Sequence, residues 1–209
     1  LANEAGCDYL FNPEVLEMYP IGFSTSIVMK NITDKFEGEL RPGHFNGVAQ
    51  VVAKLFNATR PDFAVFGQKD YQQTLVIKQM NADLNFGIKI VIAPTLREYD
   101  GLAMSSRNTY LSEDERAKAN ILFNALEAAK QAIEGGCRER KVINATLHKT
   151  LREVPEIRID YACAACANNL DEPDTFVPGE SIVLLLAVYL GKTRLIDNAL
   201  VTIPTSGQY

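Results

Sequence analysis

Residues 63–92 read FAVFGQKDYQQTLVIKQMNADLNFGIKIVI. The stretch opens on a short apolar run, Phe63–Phe66, and closes on a second, Ile88–Ile92. Between them, Tyr71–Leu84 carries Leu75, Ile77, Met80 and Leu84 as the main apolar positions of a helix, and Gly87 lies just past its end. Strand, helix and strand at this spacing make a βαβ unit of a parallel sheet. Immediately upstream, Phe45–Thr59 is a helix with Val48, Val51, Val52, Leu55 and Phe56 on one side, ended by Pro61. Further back, Ser24–Lys30 (STSIVMK) and Cys7–Phe11 are short strand candidates, and the first residues, Leu1 to Gly6, read as the end of a helix.

Downstream the pattern changes. Ser112-Glu-Asp-Glu115 is a capping box that starts a long helix to about Glu134, closed by Gly135-Gly136. A second helix runs from about Arg138 to Arg152. Ile157–Cys163, Ile182–Leu190 and a short Leu195–Asn198 are strands. Two helices followed by strands suggest a small α+β unit. The fold class is α/β, with one domain over 1–96 and a smaller one over 97–209.

Composition agrees with a folded protein of ordinary solubility. The 209 residues are 47% hydrophobic and 22% charged, with a net charge of −5. No long basic run offers a nucleic-acid or anionic-membrane surface. The longest apolar run, Ile182–Leu190, is nine residues, against about 20 for a bilayer span. The opening LANEAGCDYLFNPE has no basic segment followed by an apolar one, so it is no signal peptide. Together with four cysteines in no disulfide framework, this reads as cytoplasmic. Cys163-Ala-Ala-Cys166 is compatible with half a zinc site, a redox dithiol or plain reduced thiols; the histidines, His44 and His148, offer no second ligand pair nearby.

Three polar clusters interrupt the core pattern. Arg41-Pro-Gly-His44 sits in a turn before a helix, where a cation and free backbone N–H groups suit an anion, or where a turn simply caps a helix. Gly67-Gln68-Lys69-Asp70, followed by Tyr71-Gln72-Gln73, lies where a strand ends and a helix begins. Ligands of parallel α/β sheets bind at such carboxyl ends. There Gly67 permits close approach and Lys69 offers a charge to phosphate, while the plainer alternative makes Asp70 a helix cap. Met104-Ser105-Ser106-Arg107-Asn108 offers two hydroxyls and a guanidinium to a polyphosphate, or is only a polar connection. There is no P-loop, no GxGxxG and no GxSxG.

These clusters in this order resemble the pantoate–β-alanine ligase family. The family's segments RPGHF-x-GV, GEKD-x-QQ and DGLA-MSSRN-x-YL match RPGHFNGV at 41–48, GQKDYQQ at 67–73 and DGLAMSSRNTYL at 100–111. The likeness runs from the NPE-x-x-x-MYP stretch at 12–20 to Leu195-Ile-Asp-Asn198, with Gln68 where the family often has Glu.

The resemblance implies a Rossmann-like, nucleotidyltransferase-type domain followed by a smaller α+β domain, with ATP between them. It implies ATP-dependent condensation of pantoate with β-alanine through a pantoyl adenylate, with Mg2+ accompanying ATP and a homodimer as the assembly. By position, Gly67, Gln68, Lys69 and Asp70 become an ATP-binding turn and Gln73 a pantoate ligand. Leu96 falls at the adenine. Met104, Ser105, Ser106 and Arg107 become the phosphate-gripping loop, with Lys69, Ser105, Ser106 and Arg107 as the catalytic set. Arg41 and His44 become pantoate-side or structural groups. The family's PTMG…LHxGH signature is absent, so the expectation is a C-terminal portion of such an enzyme, inactive by itself. A different nucleotidyltransferase of the same fold is the further alternative.

Overall fold

The computed structural model describes residues 2–205. Two four-residue helices, Val15–Met18 (α1) and Glu37–Leu40 (α2), precede the helix His44–Thr59 (α3). The strand Phe63–Gly67 (β1), the helix Tyr71–Asp83 (α4) and the strand Lys89–Ala93 (β2) complete the expected βαβ unit. β1 and β2 pair in parallel, Phe63 opposite Lys89 through Gly67 opposite Ala93. Ala64, Phe66 and Ile90 pack on α3 and α4, around Phe45, Ala49, Val52, Ala53 and Phe56 of α3 and Val76, Ile77 and Met80 of α4. The buried seam of α3 therefore runs through its alanines, and Val48 and Val51 lie at its margin. Leu84, expected inside, caps α4 and is half exposed.

The second half contains Glu113–Lys118 (α5), Ile121–Glu134 (α6) and Arg140–Leu151 (α7). Three strands follow, Ile157–Cys166 (β3), Ser181–Leu190 (β4) and Thr193–Thr202 (β5). They form one antiparallel sheet in the order β3-β4-β5. The unbroken apolar run of β4 is explained by burial on both faces. Ile182, Leu184, Leu186, Val188 and Leu190 belong to the core under α6 and α7. Val183 and Leu185 face the other way, onto Tyr71 and Leu75 of α4. The turn between β4 and β5 holds Gly191 at φ +58°, and a Cβ there would collide with the Glu115 carboxylate, so the tight hairpin needs glycine.

Several expectations are corrected. Cys7–Phe11 pairs with no strand among the described residues, and Tyr9, Leu10 and Phe11 are exposed. Ser24–Lys30 forms no ladder among the described residues: the N–H groups of Ile27 and Met29 donate to Gln50 Oε1 (2.8 Å) and Asn46 Oδ1 (3.0 Å) on α3. Side-chain amides thus do the work of a neighbouring strand. Ala2–Gly6 is a turn, not a helix, and Leu1 lies outside the described residues. The single helix expected from Ser112 is two, because the ladder tightens to an i→i+3 bond from Ala119 N to Arg116 O (3.3 Å). The expected short strand Leu195–Asn198 is the ten-residue β5.

The CxxC pair sits within β3, with Cys163 in the core against α4 and Cys166 in the core under α6 and α7. The two thiols point to opposite faces of the sheet and do not form one site. Burial pushes both up, Cys166 to about 11 and Cys163 further. No helix among the described residues is long and apolar enough to cross a membrane.

Candidate active site

A cavity of about 210 Å³ opens where α4 meets the antiparallel sheet. Its walls come from the start of α3 (Arg41, His44, Phe45), the start of α4 (Lys69 to Gln73), the Ser105–Arg107 loop, and β3 to β5. β1 ends at Gly67, one 3-10 turn covers Gln68–Asp70, and α4 begins at Tyr71. The loop residues Ser106–Tyr110 form another 3-10 turn, which Ser105 caps by accepting from Arg107 N (3.2 Å).

Neither long helix is capped by a side chain at the cavity. Gly43 before α3 cannot supply a cap, and Asp70 makes no cap hydrogen bond to α4, which removes the plainer reading of Asp70. Two helix N-termini therefore bring their partial positive charge to one cavity.

The charged side chains divide into paired and free. Glu37 accepts from Arg194 Nη1 (2.9 Å) and Nη2 (2.6 Å) and from the Tyr161 hydroxyl (2.8 Å). Burial would raise its carboxyl, but these bonds more than reverse that and hold it below the usual carboxylate range. Asp197, 2% exposed, takes both ends of Arg97 (2.7 and 3.1 Å); burial nonetheless pushes its carboxyl up. Arg41, Lys69 and Arg107 have no carboxylate within ion-pair distance among the described residues. Against these three cations stands one unpaired acid, Asp70. Burial, with Arg107 nearby, lowers the Lys69 ammonium below the usual lysine value, and Asp70 and Asp197 only partly offset it. The cavity is thus a prepared anion site on an acidic chain.

A family model described as pantoate-beta-alanine ligase matches residues 1–200. The chain belongs to that ligase family. It is 48% identical to the pantothenate synthetase of Herpetosiphon aurantiacus, over 95% of this chain and 71% of that protein. It is likewise 48% identical to that of Moorella thermoacetica, over 97% and 71%. The crystal structure of pantothenate synthetase from Thermus thermophilus superposes with a TM-score of 0.88 at 43% identity, covering 97% of this chain and 72% of that one. A pantoate-beta-alanine ligase from Francisella tularensis, complexed with Beta-gamma ATP and beta-alanine, gives 0.72 at 32%, covering 95% and 67%.

Of the residues carried over from the ligase family, Arg41, His44, Lys69, Asp70, Gln73, Ser105, Ser106 and Arg107 line the cavity together. Gly67, Gln68, Leu96 and Met104 do not line it. Gly67 is the last residue of β1, and Gln68 Nε2 donates to Asn198 Oδ1 (3.3 Å). Leu96 is exposed, its carbonyl accepting from Met104 N (2.9 Å), so these two form one rim beyond the cavity.

Residue-type reasoning passed over Glu37, Tyr161, Asp197 and Asn198. Asn198 is 2% exposed and donates to the carbonyls of Gln68 (3.0 Å) and Lys69 (2.8 Å), tying the lysine turn to β5. The one signal available was Asp197-Asn198 itself, two polar residues inside an apolar strand pattern, which indicates satisfied partners elsewhere.

Proposed function

We propose that the chain carries out the ATP-dependent condensation of pantoate with β-alanine to pantothenate, through a pantoyl adenylate. The observation that carries this reading is the convergence of three unpaired cations and two uncapped helix starts on one cavity. In the first step a pantoate carboxylate oxygen attacks the α-phosphorus of ATP, the bond to the β-phosphate oxygen breaks, and pyrophosphate leaves. In the second, the β-alanine amine attacks the acyl carbon, the bond to AMP breaks, and the amine gives up its proton. No protein nucleophile is needed; the residues position reactants and stabilise charge.

Lys69 and Arg107, with the hydroxyls of Ser105 and Ser106, take the phosphates, and the N-terminus of α4 adds its dipole. Gln73 hydrogen-bonds pantoate, the Gly67–Asp70 turn and the Leu96–Met104 rim receive the nucleotide, and Arg41 and His44 serve the anionic end of a substrate. ATP fits between 1–96 and 97–209, taken as two domains. Mg2+ neutralises phosphate charge. Among the described residues no group of three His, Cys, Asp or Glu is placed to hold a metal; phosphate oxygens and water are its natural ligands, with Asp70 the unpaired carboxylate at the cavity. The setting is a homodimer in the cytoplasm, and the four free cysteines support that compartment.

The test is AMP formation with each of ATP, pantoate and β-alanine omitted in turn. Full dependence on all three is expected, with Lys69→Ala lowering pantoate-dependent pyrophosphate exchange by about 100-fold or more. AMP release that ignores pantoate, or follows a different acid, would sink the assignment.

A further inference from the structure

α2 is a single turn, Glu37–Leu40, and a helix of that length does not hold its shape unaided. It ends at Arg41, whose N–H donates to the Glu37 carbonyl (2.9 Å). Glu37 and Arg41 thus stand one turn apart on the same face. The turn is fixed from outside. The Glu37 carboxylate takes both Nη atoms of Arg194 from β5 and the hydroxyl of Tyr161 from β3. Arg194 is itself oriented by Asp160, whose Oδ2 accepts from its Nε (2.8 Å). The Glu37 N–H donates to Gln72 Oε1 (3.1 Å) on α4.

Two further features show a segment held rather than relaxed. Phe36, just before α2, has φ +45°, a costly conformation for a side chain with a Cβ, and its ring lies 5.5 Å from that of Tyr161. At Gly38 any Cβ would overlap the Thr33 carbonyl. What this bracing leaves at the cavity is Arg41, with no carboxylate partner, its Nη1 3.2 Å from His44 Nε2.

We propose that Glu37, gripped by Arg194 and Tyr161, is a positioning residue that holds Arg41 at the cavity for the anionic group of the substrate. This rests on the reading of Arg41 given under Proposed function. The clamp spans the antiparallel sheet and the α2–α3 segment, so Arg41 is placed by the second half of the chain although it belongs to the first.

The sign of one substitution separates this role from a passive one. Glu37→Gln deletes a negative charge from the wall of an anion site and leaves Arg194 partly unpaired; Coulomb attraction alone would then tighten anion binding. Loss of positioning weakens it. The measurement is calorimetric titration of pantoate into the chain at fixed ionic strength. It is made on wild type, Arg41→Ala, Glu37→Gln, Tyr161→Phe and the Glu37→Gln/Arg41→Ala double variant, with circular dichroism checking each fold.

Arg41→Ala is expected to weaken binding about 10-fold, Glu37→Gln about fivefold, and the double variant no more than Arg41→Ala alone, because a residue acting through another is not additive with it. Tyr161→Phe keeps every charge and is expected to weaken binding about twofold; it decides the question if Glu37→Gln does not fold. Tighter or unchanged binding in Glu37→Gln, or in Tyr161→Phe where that variant decides, overturns the clamp, as does a loss that adds to that of Arg41→Ala. If Arg41→Ala itself changes nothing, the assignment of Arg41 fails and the clamp with it.

Discussion

A guanidinium has only donors, so the 3.2 Å contact between Arg41 Nη1 and His44 Nε2 makes Nε2 the acceptor and puts the imidazole proton on Nδ1. His44 must then be neutral. Its environment agrees: partial burial, then the charge of Arg41, hold its pKa below 6.5, while Glu37 and Asp70 pull upward without reversing the shift. The consequence for pH has a definite sign. The unfolded chain takes up this proton near 6.5, but the folded chain takes it up only at lower pH. Folding stability therefore falls as pH drops from about 6.5 through the folded value. An NMR titration, with His148 assigned by substitution, should give His44 a midpoint below 6.5. In Arg41→Ala the midpoint should rise, since the charge of Arg41 is one of the two causes that lower it. A midpoint above 6.5 in the wild type would mean that the imidazole does not face the guanidinium.

β5 is the element on which the site depends most, and its sequence reads least like a strand of that length. Arg194 grips Glu37, Asp197 binds Arg97, and Asn198 ties down the lysine turn. Asn198→Ala should remove the side-chain donor to the partly buried Gln68 and Lys69 carbonyls, at about 0.5–1.5 kcal/mol for each hydrogen bond lost. Urea unfolding should record the loss and ATP titration a weaker affinity; lost stability with unchanged ATP affinity would confine Asn198 to folding. The same polar residues explain what could be read in advance. The βαβ unit was legible because Phe63–Phe66, Tyr71–Leu84 and Ile88–Ile92 follow plain periodicities, and the three polar clusters were legible because they interrupt them. β5 was read only as Leu195–Asn198, without Thr193–Arg194 and Ala199–Thr202, although its Asp197 and Asn198 are both buried and paired. Ser24–Lys30 misled in the opposite sense, a β-branched stretch whose backbone bonds go to side chains of α3. Glu37 and Tyr161 carried no local mark, since their roles depend on partners 157 and 124 residues away.

Across the whole molecule, the two cores meet through α4, which is buried toward α3 and β1 on one side and toward β3 and β4 on the other. Among the described residues the parallel pair is covered on one face only. Ala64, Phe66 and Ile90 are packed, but Phe63, Val65 and Val91, which alternate with them, are 59%, 65% and 37% exposed. Parallel strands are normally covered on both faces, so this is an unusual amount of apolar surface for two short strands. Lys89 partly shields it by lying over the Phe63 ring, 5.4 Å from the centroid. A neutral apolar dye such as Nile red should therefore fluoresce with the folded chain. Val65→Lys, in the middle of the patch and opposite Val91, should remove most of that signal. The unfolding midpoint should barely move, because a substitution at so exposed a position changes stability by only about 0.5 kcal/mol. ATP binding should not move either, since the cavity lies at the far end of β1, beyond Gly67. Unchanged fluorescence in Val65→Lys would place the dye elsewhere, with the exposed Tyr9–Phe11 segment next to be tested.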